Sequence, residues 1–279
     1  MSKLYVVPTP IGNLKDITLR ALETLQSVDC IAAEDTRQTI KLLNHYNIKK
    51  PLISYHQHNE LGKSKELIDR IRNGQNIALV SDAGSPGISD PGNVLIKRCI
   101  EEGIDFEVLP GATAIITALV ASGCDTSKFA FRGFLPRESK EKKQLVEEVK
   151  NYKDTLIFYE APHRLLDTLR FLRESFGNRN ISVCKELTKM YETFVRGTLE
   201  EVIEHFSKIT VKGEFVIVLE GKSIEEINEE SRAKWEALSI EEHIIKYIDE
   251  GFSKKEAVKK VAKDRGLSKS EVYKAGLEI

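Results

Sequence analysis

Residues Ile77 to Gly92 read IALVSDAGSPGISDPG, and the change of character after the fifth residue decides the fold. IALVS is apolar on consecutive positions, as a strand covered on both faces must be. A strand with one wet face would alternate instead. The run that follows holds three glycines, two prolines and two aspartates, which suits neither a helix nor a strand interior. A buried strand opening into a long polar loop belongs to the carboxyl edge of an open α/β sheet. Ligands bind at that edge, because the loops converge there.

The same alternation recurs on both sides of this stretch. LYVV (4–7), CIAA (30–33), LISY (52–55) and FEVLP (106–110) read as further strands. Helical patterns fall between them: Asp16 is placed to cap a helix carrying Leu19, Leu22 and Leu25 on one side, and a second helix is predicted near Thr36–Asn44. Three of these strands lead into unusual loops, PTPIGN (8–13), AEDTR (33–37) and PGATAI (110–115). Near FAFRGFLPRESKEKK (129–143) aromatics mix with glycine and proline, and a charged helix follows. A second unit then carries strands at TLIFY (155–159), ISVCKEL (181–187) and EFVIVLE (214–220). The expected fold class is α/β in two successive units, plus a small all-α tail resembling a helix-turn-helix. The expected divisions are 1–130, 131–222, a linker at 223–237, and a helical basic tail at 238–279.

The tail is read from three capping-box spacings, Ser239 to Glu242, Ser253 to Glu256 and Ser268 to Glu271. Gly251 and Gly266 stand where helices end. Residues 251–274 hold eight Lys and Arg against three acidic residues, a local charge of +5. The whole chain of 279 residues has 42 basic and 43 acidic side chains, so global charge selects no partner. The tail is either an RNA-binding element or a solvated cap whose Val272 and Tyr273 serve its own small core.

Four well-separated cysteines, Cys30, Cys99, Cys124 and Cys184, indicate neither a disulfide framework nor a zinc site. The start, MSKLYVVPTP, has too short an apolar run for a signal peptide, and no stretch approaches the roughly 18 apolar residues of a membrane span. A soluble cytoplasmic protein is expected. His56 and His58 share one face of a strand without a third ligand nearby, so they read as surface or RNA-facing groups and no metal is expected. Neither a P-loop nor a G-x-G-x-x-G after the first strand is present, which argues against phosphate cradling by a helix N-terminus. Polar backbone, small side chains and Asp82 suit a small zwitterion that brings its own ammonium, carboxylate and hydroxyls.

VVPTPIGNLKDITLRALETL, AEDTR, SDAGSPGISDPG, LPGATAIITAL, FRGFLPR, FYEAPHR and KELTK occur in that order across roughly residues 3–221. Together they resemble the tetrapyrrole-methylase-like (class III) S-adenosylmethionine methyltransferases, in the branch of bacterial 16S ribosomal RNA (cytidine-2′-O)-methyltransferases. The tail is similar to that branch as well. The resemblance implies two αβα units with a cofactor cleft between them, S-adenosylmethionine as cofactor, 16S rRNA of the small ribosomal subunit as partner, and a homodimer. It implies that Thr9 and Pro10 line the cofactor cleft, and that Asp82 and Ser85 hold the methionine part of the donor. Pro110, Gly111, Ala112 and Thr113 would approach from the next loop, and Tyr159, Glu160, Leu187 and Glu214 would close over adenine and ribose. The corrinoid and sirohaem members share a G-x-G-x-G-D loop where this chain has PTPIGN, which weakens a porphyrinoid substrate.

Methyl transfer from a sulfonium is an in-line displacement that leaves one proton to manage. AEDTR supplies Glu34 and Asp35 as candidate bases, with Arg37 as a candidate phosphate contact. The alternative for that turn is a helix cap at Asp35 or Thr36 with a solvated Arg37. Asp90 carries a similar ambiguity, between a loop ligand and a cap for the helix starting near Gly92. Two other functions stay open: C-methylation of a porphyrin-like ring, and a metabolite-sensing nucleic-acid-binding regulator without turnover. Asp82→Ala is expected to abolish donor binding by calorimetry; unchanged affinity would remove Asp82 from the donor site.

Overall fold

The computed structural model describes residues 2–223, 226–227, 235 and 238–276. Strands β1 (Leu4–Val6), β2 (Cys30–Ala33), β3 (Leu52–Ser54), β4 (Ile77–Val80) and β5 (Phe106–Val108) form an all-parallel sheet in the order β3-β2-β4-β1-β5. All four residues of β2 and of β4 are buried, as their unbroken apolar runs require. Alternate residues serve opposite faces. Cys30 and Ala32 join Tyr55, Leu67, Ile68 and Leu95 beneath α3 (Glu60–Arg72) and α4 (Asn93–Glu101). Ile31 and Ala33 join Ala21, Leu25 and Leu43 beneath α1 (Leu19–Ser27) and α2 (Thr36–His45). The order of strands reverses direction about β4 and β1, so the loops after these central strands face each other across the sheet edge.

The second sheet contains β6 (Phe129–Phe134), β7 (Thr155–Glu160), β8 (Asn180–Lys185), β9 (Thr193–Thr198) and β10 (Phe215–Leu219), in the order β6-β7-β10-β8-β9. Only the β6–β7 pair is parallel. The sequence reading missed β6 and β9, the two edges. Each carries an interior glycine, and the β6 register shifts between Phe131 and Phe134, so neither shows a clean period of two. Helices α6 (Ser139–Val149), α7 (Leu165–Phe176) and α8 (Leu199–Ser207) accompany these strands.

α5 (Ala114–Ser122) leaves the first sheet and packs on the second. Its Ile115, Ala118 and Leu119 share a core with Ile157, Cys184, Val216 and Val218. Both sheets therefore fall in one compact unit, Met1–Val146 with Thr155–Glu220. The expected junction at residue 130 lies inside β6 of that unit.

The other unit, Glu147–Asp154 with Gly221–Ile279, carries α9 (Ile240–Asp249), α10 (Lys254–Arg265) and α11 (Lys269–Ala275). All three capping boxes form as the spacings predicted. Ile244, Ala257, Val258, Val261, Ala262 and Val272 make a small core of their own, while Tyr273 stays exposed. Most of the expected linker at 223–237 lies outside the described residues. Among the described residues no helix is long and apolar enough to cross a membrane.

Two local expectations are corrected. Thr18 caps α1 by accepting from the Ala21 N–H at 3.1 Å, whereas Asp16 closes a single 3₁₀ turn at Leu14–Asp16. The better-placed hydroxyl outcompetes the carboxylate two residues earlier. Asp90 is not the cap of α4: the N-cap position belongs to Gly92, with no side-chain cap bond.

Gly111 shows how tightly the loops of the first sheet meet. A Cβ at this position would lie 2.5 Å from Pro8 Cβ, on a ring that cannot swing aside. Gly111→Ala is expected to destabilise the chain by about 1–3 kcal/mol, read from urea unfolding. An unchanged midpoint would mean that the loops separate freely.

Candidate functional site

The loops after β1, β2 and β4 are stitched to one another at the carboxyl edge of the first sheet. Thr9 and Gly84 exchange main-chain hydrogen bonds of 2.9 and 3.0 Å, and the Thr9 hydroxyl donates to the Ser81 carbonyl at 3.1 Å. The Asp35 N–H donates to Asp82 Oδ1 at 3.1 Å, and the Asp82 N–H donates to Glu34 Oε2 at 3.4 Å. Proline and glycine leave these loops without regular partners of their own, so they satisfy one another.

Between this edge and the second sheet lies a cavity of about 400 Å³. Eight of the expected site residues line it: Glu34, Asp82, Ser85, Thr113, Tyr159, Glu160, Leu187 and Glu214. Seven do not. Thr9 and Pro10 are buried in the stitched edge beneath it. Pro110, Gly111 and Ala112 lie in the adjoining loop, where Gly111 packs directly on Pro8. Asp35 caps α2 through the Arg37 N–H, and its two oxygens also take Arg37 Nε at 3.0 Å and Nη2 at 2.7 Å. Arg37 otherwise extends into solvent, its side chain 86% exposed. The turn thus separates Glu34, facing the cavity, from Asp35 and Arg37, which hold each other.

Sequence reasoning missed Ile11, Phe134, Phe215 and Val216 and left Asp90 undecided; all of them line the cavity. Asp90 was left open between a loop ligand and a cap, and Ile11 was passed over in a search for polar groups. Phe134 and Phe131 meet Tyr159 edge-on, with centroids 5.7 and 4.8 Å away, and make an aromatic wall.

Two acidic groups at this wall are already engaged. Glu160 is buried; it accepts from the Ala161 N–H at 2.8 Å and from the Thr168 hydroxyl at 2.5 Å, with Arg164 Nε 3.4 Å away. Arg164 in turn donates to the Leu135 carbonyl, pinning the FLPR loop to the start of α7. Glu214 is paired with Lys189 at 2.7 Å. Leu187 sits between Glu186 and Thr188, both in the left-handed backbone region at φ 51° and 63°. This strained loop presses on the first one, where a Cβ at Gly12 would lie 2.6 Å from Lys189 Cγ.

Electrostatically the cavity is one-sided. Apart from Tyr159, its ionisable lining side chains among the described residues are the carboxylates Glu34, Asp82, Asp90, Glu160 and Glu214, with no Lys, Arg or His. Burial raises the pKa of Glu34, and the charges of Asp90 and Asp82 raise it further against the pull of the Asp82 N–H. Asp90 is raised by burial and then by Asp82; Asp82 is raised chiefly by burial. Burial, helped by Asp90, pushes the Tyr159 phenol up to about 12. Asp35 goes the other way, to about 2, because Arg37 holds it.

The pattern of tetrapyrrole (corrin/porphyrin) methylases matches residues 3–203. The chain belongs to the tetrapyrrole methylase family. Over 270 residues it is 54% identical to a protein of Halalkalibacterium halodurans named ribosomal RNA small subunit methyltransferase I, covering 97% of this chain and 93% of that one. A Thermotoga maritima protein of the same name is 47% identical over 222 residues, 80% of this chain and all of the relative. The crystal structure of diphthine synthase superposes with a TM-score of 0.65 at 15% identity, over 80% of this chain and 91% of the other, and shares the fold. This member of the family is a methyltransferase, and its methyl donor is S-adenosylmethionine.

The cavity suits that donor. A molecule with a sulfonium and an ammonium against one carboxylate carries net positive charge, which an all-acid lining favours. Ile11, Leu187, Val216 and the aromatic wall offer apolar surface for a flat base. Among the described residues no three His, Cys, Asp or Glu side chains are grouped to hold a metal.

The raised carboxylates carry a consequence for stability. When a folded pKa exceeds the unfolded one, the native state keeps a proton that the unfolded chain has released, so stability falls as pH rises through that window. Glu34→Gln removes this penalty. The variant should resist urea better than the parent at pH 7, and the gain should vanish below about pH 4, where both states of the parent are protonated. A gain that persists at low pH would assign the effect to packing.

Proposed function

We propose that this methyltransferase transfers the methyl group of S-adenosylmethionine to the 2′-hydroxyl of a cytidine in 16S rRNA of the small ribosomal subunit. The observation that carries the reading is the carboxylate-lined cavity in a chain so similar, over almost its whole length, to a protein named for the small ribosomal subunit. The structural likeness to diphthine synthase supports the fold alone. C-methylation of a porphyrin-like ring and a regulator without turnover are the outcomes that the experiment below separates from it.

When bound, S-adenosylmethionine supplies an electrophilic methyl group on sulfur. The chain's own residues bind and orient. The halves 1–130 and 131–222 each give one wall: Asp82 and Ser85 hold the methionine end, Thr113 and the Pro110–Ala112 loop flank it, and Thr9 and Pro10 hold that loop system in place. Tyr159, Leu187 and the main chain beside Glu214 cover adenine and ribose, while Glu160 fixes the turn below them. From the AEDTR turn, Glu34 alone faces the cavity, and Arg37, exposed beside it, meets RNA phosphate.

The helical unit adds RNA affinity in this reading. Lys260 lies 4.2 Å from the Phe252 centroid and 5.2 Å from that of Tyr247, and Arg265 donates to His243 Nδ1 and to three carbonyls, so both serve the unit itself. Lys254, Lys255, Lys259, Lys263, Lys269 and Lys274 stay exposed for phosphate. The protein acts in the cytoplasm as a homodimer in this reading. Apolar side chains in solvent on α5, Val120 at 72% exposure and Ile116 at 44%, support a second copy there.

Labelled S-adenosylmethionine, incubated with the protein and small subunits, free 16S rRNA or a precorrin, should leave label on a ribose 2′ oxygen of the RNA. Label on a ring carbon, or binding without transfer, would overturn the reading. Removal of residues 238–279 should leave donor affinity unchanged and lower the salt dependence of RNA binding. The log–log slope should fall by about 0.7–0.9 for each phosphate that the shortened protein leaves unneutralised. An unaltered slope would make the unit a solvated cap.

A further inference from the structure

An acid-lined cavity repels phosphate, so the RNA that reaches it must be held by groups outside it. The outer edge of the first sheet has such groups. Residues 36–59 contain Arg37, Lys41, Lys49 and Lys50 and no acidic side chain, in a chain whose 279 residues include 43 Asp and Glu. This stretch runs through α2, the turn after it and β3, and ends in the loop beyond β3.

A second cavity, an open groove of about 560 Å³, lies along it. Thr36, Ile40 and Leu43 reach the groove from α2 at the i, i+4, i+7 spacing of one helix face, a stripe about 10 Å long on the axis. Ile48 and Leu52 complete an apolar floor, and Lys49 and Lys50 stand beside them. Leu43 and Ile48 are buried, whereas Ile40 is 46% exposed. Among the described residues no Asp or Glu lines the groove. Elsewhere in the same unit Lys3, Lys63 and Lys97 pair with Glu107, Glu66 and Glu101. Lys41, Lys49 and Lys50 enter no ion pair among the described residues.

β3 is the edge of its sheet, and lysines beside an edge strand discourage a second sheet from pairing there. That task needs no apolar groove. The groove also starts in the right place: Thr36 follows Glu34, which lines the donor cavity, by two residues.

We propose that the groove between α2 and β3 binds unpaired RNA next to the methylated nucleotide, its lysines meeting phosphates and its apolar floor taking a base. This rests on the ribose-methylation reading above. The mixture of groups selects an unpaired strand. A duplex keeps its base faces stacked, so it would use the lysines and leave the floor empty. Charge then divides the work between two cavities: the acid-lined one favours the cationic donor, and the acid-free groove favours the polyanion.

Binding of the full chain to free 16S rRNA over a range of salt tests this, together with donor calorimetry and transfer kinetics. Lys49→Ala combined with Lys50→Ala should lower the log–log salt slope by about 1.4, the value for two phosphates of a single strand. It should raise the KM for 16S rRNA several-fold, with kcat and donor affinity at parental values. Ile40→Ser should weaken RNA binding at every salt concentration and leave the slope unchanged, as loss of a base contact requires. Lys97→Ala removes a charge from α4, on the other face of the sheet, and should change neither. The proposal is overturned if the double variant keeps the parental slope, if Lys97→Ala lowers it as much per lysine, or if Ile40→Ser binds RNA like the parent. A lower sedimentation mass in the double variant would assign the groove to a second copy of the chain and overturn it too. A parent protein that puts no label on ribose would overturn the reading of the reaction; the salt slopes, measured without transfer, report on the groove separately.

Discussion

Like charges held close together in a half-dry space repel one another, and folding tolerates them only when something else fixes their positions. Here Glu34, Asp82 and Asp90 share one wall of a cavity with no basic side chain among its described lining residues. What holds them is the stitching of three loops, through Thr9 with Gly84, Asp35 with Asp82, and Asp82 with Glu34. The repulsion is relieved when a cation enters. In the proposed reading the chain keeps at its carboxyl edge a cost in stability that a cationic donor bound there would offset.

The rest of the molecule follows from building that edge. A parallel sheet buried on both faces sets the loop ends side by side, because every crossover returns to the same edge. α5 then carries the chain across to a second sheet whose loops supply the opposite wall. The aromatic side of the cavity comes from β6 and β7, and the strained Glu186–Thr188 loop comes from the end of β8. One wall is acidic and polar, the other largely apolar, which matches a donor with a charged amino-acid end and a flat base.

Much of this was legible in the sequence, for identifiable reasons. The first sheet showed itself because CIAA and IALVS are apolar on consecutive residues, a pattern that only double coverage explains. The tail helices showed themselves because Ser-x-x-Glu is a local device that needs no tertiary context, and all three boxes form. The edge strands β6 and β9 stayed hidden, since an interior glycine and a register shift erase their alternation. Within the site, Glu34 and Asp82 were found because each directly follows a buried strand. Asp90 stayed undecided, because in sequence an aspartate before Pro-Gly reads equally as a loop ligand or a cap, and only the folded loop shows that Gly92 takes the cap position. The partition of the AEDTR turn was equally invisible, since nothing in the spacing says that Arg37 curls back onto Asp35.

Where the methyl donor lies decides between this picture and any other, and a crystal structure of the protein with S-adenosylmethionine measures that directly. Density for the donor inside the cavity, its positive end toward Glu34, Asp82 and Asp90 and its base against Leu187 and the Tyr159 wall, is the predicted result. A donor bound outside this cavity, or with its sulfonium turned away from all three carboxylates, would contradict it.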